Sequence, residues 1–428
     1  MLVKEKNDLL TQTGPATPMG KLFRCYWLPV LLAEELSEPD CPPVRVELLS
    51  EKLIAFRDTQ GRLGLMDEFC AHRRVSLWFG RNEESGLRCP YHGWKFDVNG
   101  QCVDIPSEPP ESTLCQKVRL KAYSLVEKGG ILWAYMGDPA KKPPLPEFEV
   151  LAVTPEQRFI SKRLQDSNWL QAMEGGIDSS HVSYLHSGSL ASDPLFRGAG
   201  GNKYNVADKR PVFEVADAPG GLFIGARRNA ENDQYYWRIT PWVMPSFTMI
   251  APRGGHTVHG HWWIPITDEK CWAWSFDYTP ARDITKEERA AMKNGQGIHC
   301  KYVPGTFIPL ANKSNDYLMD REAQKAGIYY SGIESIAIQD SSLQESMGPI
   351  CDRTKEMLVS TDKGIMMARR KLFEAISKLE EHGETPPGVD PETHKVRSAS
   401  VLLPRDRSYE EAAADALRVN PGKPHATV

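Results

Sequence analysis

The chain has 428 residues, of which 41% are hydrophobic, 25% charged and 9% aromatic, the balance of a globular protein long enough for two domains. Its 52 Lys and Arg nearly match its 56 Asp and Glu, so there is no basic excess to attract nucleic acid or an anionic membrane surface. The N-terminus lacks an apolar signal segment and no stretch approaches the length of a membrane-spanning helix, so we expect a cytoplasmic protein.

The nine cysteines are an odd number, and outside one motif they show no paired spacing. Such a set favours a reducing compartment and argues against a disulfide framework. We interpret seven of them as small packing residues without an assigned role: Cys25, Cys41, Cys102, Cys115, Cys271, Cys300 and Cys351.

The order of patterns along the chain predicts its domains. Glycine and proline break any periodicity near the N-terminus, short β-rich runs fill 44–136, and a proline-rich stretch at 139–146 predicts a stiff linker. Strand-like runs between 158 and 278 then precede helical patterns, among them 334–344 and the amphipathic 362–382. We therefore expect a lead-in at 1–23, a small β domain at 24–145, a second domain at 146–385 and a tail at 386–428.

The strongest motif joins Cys70-Ala-His72 to Cys89-Pro-Tyr-His92 across sixteen residues. Each half places one Cys and one His on a tight loop. The set suits a Rieske [2Fe–2S] cluster, with the two cysteines on one iron and the two histidines on the other. Zinc is the alternative, but neither half has the usual Cys-x₂-Cys or His-x₃₋₅-His spacing. Neutral imidazoles raise the potential of the cluster, so the motif predicts an electron relay.

A second candidate metal site lies in the segment from Glu174 to His186. Non-haem Fe(II) oxygenases hold the metal with two His and one carboxylate, and leave the other positions open. On a helix Asp178 and His181 would share a face, whereas His181 and His186 converge only if the helix distorts or ends between them. Asp340, on the predicted helix 334–344, is our candidate for the third ligand. However, the residues alone favour a different interpretation, in which Asp340 is a solvated carboxylate on the surface of a helix.

Together these motifs resemble a family. Most of the chain is similar to the α subunit of Rieske non-haem iron ring-hydroxylating oxygenases, and particularly to the phthalate dioxygenase-like branch acting on phthalates, chlorobenzoates and phenoxybenzoates. The matching stretches are Cys70-Ala-His-Arg-Arg, Cys89-Pro-Tyr-His-Gly-Trp-Lys-Phe-Asp, Asn168-Trp-Leu-Gln, Asp178-Ser-Ser-His with His186, and the Gln-Asp340 helix. The resemblance implies an α+β fold, with a small antiparallel β Rieske domain and a larger helix-grip-like catalytic domain.

The resemblance also implies roles and partners. It implies one [2Fe–2S] cluster and one mononuclear Fe(II) per subunit, the latter held by His181, His186 and Asp340. Asp178 would bridge the two metal sites by accepting a hydrogen bond from a cluster histidine of a neighbouring subunit. The active unit would be a homotrimer or a stacked-trimer hexamer, supplied with electrons by an NAD(P)H-dependent flavin/iron–sulfur reductase.

The expected activity is cis-dihydroxylation of an aromatic carboxylate with O₂. A carboxylate calls for a cation at the end of an apolar slot, and the planar arginine fork fits it bidentately. We propose Arg210 and Arg238 as candidates, with Ser179 as a hydrogen-bond donor. The alternative activity is O- or N-demethylation by a Rieske monooxygenase, which the motifs do not separate from dioxygenation.

Three further histidines, His256, His259 and His261, lie close together in a strand-like run. Alternation would place His259 and His261 on one strand face and His256 on the other. We prefer packing or hydrogen bonding to metal binding as their role.

Overall fold

The computed structural model describes residues 2–428 and divides them into two compact units. The first is Thr13–Pro143, and the second combines the residues up to Gln12 with Pro144–Val428. The division falls two residues before the predicted start of the second domain at 146. No helix among residues 2–428 combines the length and apolar character needed to cross a membrane.

The first unit is built from short antiparallel strands. Its strands are β1 Trp27–Leu32, β2 Val44–Leu48, β3 Glu51–Arg57, β4 Leu63–Asp67, β5 Arg81–Glu83, β6 Gly86–Arg88, β7 Lys95–Phe96, β8 Cys102–Asp104, β9 Ala122–Lys128 and β10 Ile131–Tyr135. One sheet has the order β1-β10-β9-β4-β3-β2, and a smaller sheet has the order β5-β6-β7-β8. The apolar residues Ile54, Phe56 and Leu87 share a core with Cys70 and Cys89, so the cysteine loops are anchored on the β framework.

The predicted lead-in at 1–23, in which glycine and proline interrupt any periodicity, contains two helices in the structure. They are α1 Lys4–Thr11 and α2 Pro18–Phe23; a third, α3 Leu114–Lys117, follows in the first unit. Pro18 occupies the first turn of α2, where a missing N–H costs nothing, and Thr17 caps it by accepting from the Gly20 amide. Pro18 therefore marks the start of a helix, and Gly20 lies within that helix.

The second unit is a large antiparallel sheet with helices. Its elements are α4 Glu149–Ala152, β11 Arg158–Gln165, α5 Trp169–Ile177, α6 Ser189–Ser192, α7 Asn202–Ala207, β12 Val212–Ala218, β13 Gly221–Asn229, β14 Gln234–Val243, β15 Phe247–Met249, β16 Val258–Thr267, β17 Lys270–Tyr278, α8 Lys286–Lys293, α9 Arg321–Lys325, α10 Ile336–Ser346, α11 Lys363–His382, β18 Ala399–Pro404 and α12 Tyr409–Ala412. The strand order is β11-β17-β16-β15-β14-β13-β12. Helix α5 contacts β15, β16 and α10, and α11 packs on β12 and β13. The α+β prediction is confirmed.

The register of this sheet positions polar residues for the site. Ser275 pairs with both Ser161 and His261, and His261 pairs with Thr248. Directly opposed residues of antiparallel strands point to the same face, so this row of polar side chains faces one way. His259 pairs with Asp277 two residues along and shares that face.

The predicted tail at 386–428 is not separate from the second domain. Strand β18 pairs with β14 over the register Gln234↔Pro404 to Ile239↔Ala399. Arg397 and His425 both bond the buried Glu149 carboxylate. Residues beyond 386 thus complete the sheet and its buried ion pairs, which no local pattern in the tail indicated.

Candidate metal centres and active site

Two tight loops present the Cys and His residues of the first motif. The Cys70 amide donates to the Val75 carbonyl at 2.9 Å, and the Arg74 amide donates back to the Cys70 carbonyl at 3.0 Å. In the second loop the Cys89 amide donates to the Trp94 carbonyl at 2.8 Å, and the Gly93 amide to the Cys89 carbonyl at 3.0 Å. The two loops have the same hydrogen-bond pattern. In each loop, the Cys and the His of one motif half therefore lie within a single turn that these hydrogen bonds close.

Gly93 is required by the second loop. Its φ is +79°, and a Cβ at this position would lie 2.6 Å from Cγ of Pro106. A side chain would therefore be strained by the backbone and also blocked by the neighbouring ring.

The four candidate cluster ligands are arranged in an inner and an outer pair. Cys70 and Cys89 are 1% and 2% exposed, and burial raises the pKa of the Cys70 thiol to about 11. His72 and His92 lie further out, with ring centroids 4.5 Å apart, and His72 stacks on Trp94 at 4.8 Å. Two buried sulfurs beneath two outer imidazoles match the donor set of a Rieske [2Fe–2S] cluster.

The second site begins where α5 ends. The helix stops at Ile177, so Asp178 and His181 do not share a helix face as expected. Instead the Asp178 carboxylate accepts from the Ser180 amide at 2.6 Å, and residues His181–Ser183 form a separate 3₁₀ turn. Gly175 and Gly176 allow α5 to pack closely, since a Cβ on Gly176 would lie 3.0 Å from Thr248 and Trp263. The break turns the two metal-site histidines toward one point.

His181, His186 and Asp340 converge. Their candidate ligand atoms all lie within 4.8 Å of one another, and no other such group of three occurs among residues 2–428. The two Nε2 atoms are 3.1 Å apart, and Asp340 Oδ1 lies 3.5 Å from Nε2 of His181 and 3.2 Å from Nε2 of His186. Neighbouring ligands of an octahedral ion bound at about 2.1 Å are about 3 Å apart. The residues therefore fit a mononuclear iron with one triangular face occupied.

The Nδ1 atom of each histidine has a partner on the opposite side. His181 Nδ1 lies 3.2 Å from Asp178 Oδ2, and His186 Nδ1 lies 2.7 Å from Gln339 Oε1. These contacts assign the proton to Nδ1 and direct the Nε2 lone pairs to the common point. Asp178 was predicted from the sequence, whereas Gln339 was not, and its adjacency to Asp340 is its only sequence signal.

Charge around this point favours the ionised carboxylate. Burial opposes ionisation of Asp340, but His186 and His181 outweigh it and lower the pKa of Asp340 to about 2. Arg163 also lowers the pKa of Asp340. Asp340 is thus a permanent anion at neutral pH, as a metal ligand must be.

A cavity adjoins the three residues. Its lining combines polar groups with apolar side chains: Gly175, Gly176, Asp178, Ser179, His181, Val182, His186, Leu190, Phe196, Arg238, Thr240, Ile250, Arg253, His259, His261, Trp263, Ile298, Ile336, Asp340 and Gln344. Arg238 Nε donates to Ser179 Oγ at 3.2 Å, so these two predicted residues meet in the cavity wall.

Arg210 is not part of this cavity. Its side chain is exposed, and its backbone amide donates to Asp208 at 3.0 Å. The structure therefore places the predicted substrate residue Arg210 outside the cavity, because the residue follows α7 on the surface. Arg253, in the loop after β15, lines the cavity instead, and Arg228 lies near Arg253. Neither arginine belongs to a sequence motif that would have identified it.

Three arginines at the cavity are almost fully buried: Arg228 is 1% exposed, Arg238 is 2% exposed and Arg253 is 5% exposed. None of them forms an ion pair with a carboxylate within residues 2–428. Burial and the charge of Arg238 lower the pKa of Arg253 to about 9 and that of Arg228 to about 10. Nη1 of Arg228 and of Arg238 is buried without a hydrogen-bond partner. The cavity wall is therefore positively charged and incompletely paired.

Known proteins resemble both halves of the chain. Residues 26–124 match the family model of the Rieske [2Fe-2S] domain, and residues 134–422 match the one described as LigXa C-terminal domain like. The chain is 38% identical to the 3-chlorobenzoate-3,4-dioxygenase oxygenase subunit of Comamonas testosteroni, over 96% of this chain and 98% of that protein. It is 40% identical to the phthalate 4,5-dioxygenase oxygenase subunit of Pseudomonas putida, over 89% and 87%.

A solved structure shares the fold. The NdmA protein of Pseudomonas putida CBB5, in a mutant form with theobromine, aligns with a TM-score of 0.61 and 21% identity over 91% of this chain and 98% of that one. The identities to the two oxygenase subunits extend over nearly the whole chain, so membership rests on both domains. The chain therefore belongs to the Rieske non-haem iron ring-hydroxylating dioxygenases, as an oxygenase subunit with a [2Fe–2S] cluster and a mononuclear iron that depends on a separate reductase.

Proposed function

We propose that this oxygenase dihydroxylates the ring of an aromatic carboxylate, such as a phthalate isomer, a chlorobenzoate or a similar substituted benzoate, to a cis-dihydrodiol. O₂ is the oxidant, and NAD(P)H supplies two electrons through a flavin/iron–sulfur reductase. The names of the two relatives support this substrate class, since each acts on an aromatic carboxylate.

The buried arginines are the observation that carries the substrate class. A buried cation without a counter-ion is costly, and an anionic ligand supplies what Arg238 and Arg253 lack. The unpaired Nη1 of Arg238 is free to donate to a carboxylate, while its Nε remains bonded to Ser179. The apolar residues Val182, Phe196 and Ile336 would enclose the ring.

We assign His181, His186 and Asp340 as the iron ligands and Cys70, His72, Cys89 and His92 as the cluster ligands. An iron held by these ligands would supply the activation of O₂. Asp178 and Gln339 hold the imidazoles in the tautomer that binds metal. The arginines orient the carboxylate, and the enclosed apolar wall excludes water.

We further propose that neighbouring subunits complete the electron path in a trimer or stacked-trimer hexamer. The Asp178 side chain remains 23% exposed, which leaves it accessible to a cluster histidine of another copy. The first unit exposes the aromatic side chains of Trp78, Phe79 and Tyr91 near its cluster loops, and the second exposes Tyr184 near His181. Exposed aromatic groups of this kind are enriched at interfaces. We place the assembly in the cytoplasm, consistent with cysteines that form no disulfide bond in the described chain.

The test is product analysis under ¹⁸O₂ with the reductase and a panel of phthalate isomers, 3-chlorobenzoate, 3-phenoxybenzoate and a methoxybenzoate. Two labelled oxygens in one diol are the expected result. Formaldehyde together with a phenolic hydroxyl that carries no label would replace the proposal by the demethylating monooxygenase, because the oxygen from O₂ then leaves with the methyl carbon. Oxidation of neutral arenes in preference to every carboxylate would contradict the substrate class.

A further inference from the structure

Strand β16 presents two histidines to the cavity. They are neither candidate metal ligands nor hydrogen-bond partners of the buried arginines. His259 and His261 are 2% and 4% exposed and both line the cavity. Trp262 between them points the other way and packs on Phe247 and Phe276. Strand alternation therefore presents both imidazoles to the same enclosed space.

Both rings are incompletely bonded. Nδ1 of His261 is buried and has no hydrogen-bond partner in the described chain, and Nδ1 of His259 is buried without a contact of good hydrogen-bond geometry, although the Thr257 backbone lies close enough to raise the pKa of that ring. A buried polar group ordinarily finds a partner, and the exceptions concentrate at sites that receive a ligand or water. Two such exceptions two residues apart, on the wall of one cavity, indicate a shared ligand.

The charge state of these rings limits that ligand. Burial lowers the pKa of His259 to about 4, against the opposing influence of Asp277, and Arg253 lowers it further. Burial also lowers the pKa of His261 well below its usual value, and the nearby Arg163 acts in the same direction. Each imidazole is therefore neutral at physiological pH and offers one N–H donor and one lone pair.

We propose that His259 and His261 form a polar subsite for an uncharged, hydrogen-bonding ring substituent of the substrate, of the hydroxyl or alkoxy class. This inference rests on the proposed function, in which the arginines take the carboxylate. A carboxylate is better matched by a guanidinium than by neutral imidazoles. A hydroxyl, which donates and accepts at once, matches a pair of neutral imidazoles.

The experiment compares 3-hydroxybenzoate with 3-methylbenzoate, two ligands of similar shape that differ in the hydrogen-bonding group. Binding to the anaerobic holoenzyme is measured by calorimetry, and kcat/KM is measured with the reductase. We expect the wild-type protein to prefer 3-hydroxybenzoate by about tenfold or more, because bound 3-methylbenzoate would leave the two imidazoles without a hydrogen-bond partner. His259→Leu and His261→Leu should each reduce that preference toward unity, and His259→Asn should retain part of it.

His256→Leu is the matched control. His256 belongs to the same run of histidines, but its ring bonds the Arg197 carbonyl at 2.9 Å and is absent from the cavity wall. This variant should keep the wild-type preference. Cluster absorbance and iron content report whether each variant has folded.

The inference would be overturned if the wild-type protein bound both benzoates equally, or if both leucine variants kept the full preference. A phenol and toluene pair separates this inference from the proposed function. Selective binding of the phenol, lost in His259→Leu, together with no binding of any carboxylate, would sustain the subsite and contradict the carboxylate proposal.

Discussion

Gln339 Oε1 accepts a hydrogen bond from Nδ1 of His186 at 2.7 Å, at a residue that is 0% exposed. Its amide cannot flip without loss, because Nε2 donates to the Ile333 carbonyl at 2.6 Å and to Ser189 Oγ at 3.0 Å. The orientation of the amide therefore fixes the tautomer of His186. One metal-site histidine is thus supported by a neutral amide and the other by the Asp178 carboxylate.

Gln339→Leu should weaken metal binding at the mononuclear site. Loss of an acceptor behind a metal-bound imidazole commonly costs about 10- to 100-fold in affinity. Titration of the iron-depleted protein with Fe(II) or Co(II) measures this directly. The [2Fe–2S] absorbance should be unchanged, since the cluster motif lies in the other unit. Unaltered metal affinity would show that Gln339 is only a packing residue.

Asp178→Asn should retain iron and slow electron delivery. The amide oxygen can still accept from His181, whereas the negative charge that would hold a neighbouring cluster histidine is gone. We expect turnover to fall about 10- to 100-fold. Stopped-flow oxidation of the reduced cluster absorbance reports the transfer, and metal analysis reports the iron. Loss of iron with normal cluster oxidation would contradict the bridging role.

Arg238→Gln should raise KM for an aromatic carboxylate and lower kcat/KM by about 100-fold or more, because a buried charge pair is lost. Arg238→Lys should give an intermediate value, since the charge remains but the planar fork does not. Arg210→Gln is the matched control, because Arg210 is exposed and outside the cavity. Equal effects of Arg238→Gln and Arg210→Gln would remove Arg238 from the substrate site.

Glu174→Gln should destabilise the second unit by about 3–5 kcal/mol at pH 7, because it leaves the buried Arg353 without a carboxylate partner, whereas Arg369 keeps Glu356. Glu174 accepts from Arg369 Nε at 2.6 Å and from Arg353 Nη2 at 2.8 Å, just before the segment that presents Asp178. Chemical denaturation followed by fluorescence measures the difference. Glu374→Gln is the control, since its pair with Arg370 is exposed and contributes little.

The same pair predicts a pH dependence. Burial opposes ionisation of Glu174, but Arg353 and Arg369 outweigh it, so the folded-state pKa is lowered. The stabilisation is therefore fully present above the unfolded pKa of about 4.3 and is lost as pH falls through the folded value. The gap in stability between wild type and Glu174→Gln should close below about pH 4. A gap that grows on acidification would contradict this assignment.

Local spacing was sufficient to predict the two tight loops that carry the candidate cluster ligands. Cys70, His72, Cys89 and His92 lie on two turns closed by hydrogen bonds within five residues, so the motif contains all the geometry it needs. The amphipathic pattern at 362–382 likewise predicted α11, because the contacts that form a helix join residues only three or four positions apart. The convergence of His181 and His186 required only that the helix end early, and Gly175 and Gly176 stand at that break.

Tertiary structure decided the rest, because strand register and packing join residues that no local pattern relates. Arg238 entered the cavity and Arg210 did not, although both were equal candidates in the sequence; the difference is that Arg238 lies on a central strand and Arg210 in a surface loop. Arg253 and Gln339 reach the site from a loop and a helix far apart in the chain. The segment beyond 386 joins the sheet because β18 pairs with backbone groups of β14 that no other strand occupies. Which backbone groups remain unpaired depends on how the strands assemble.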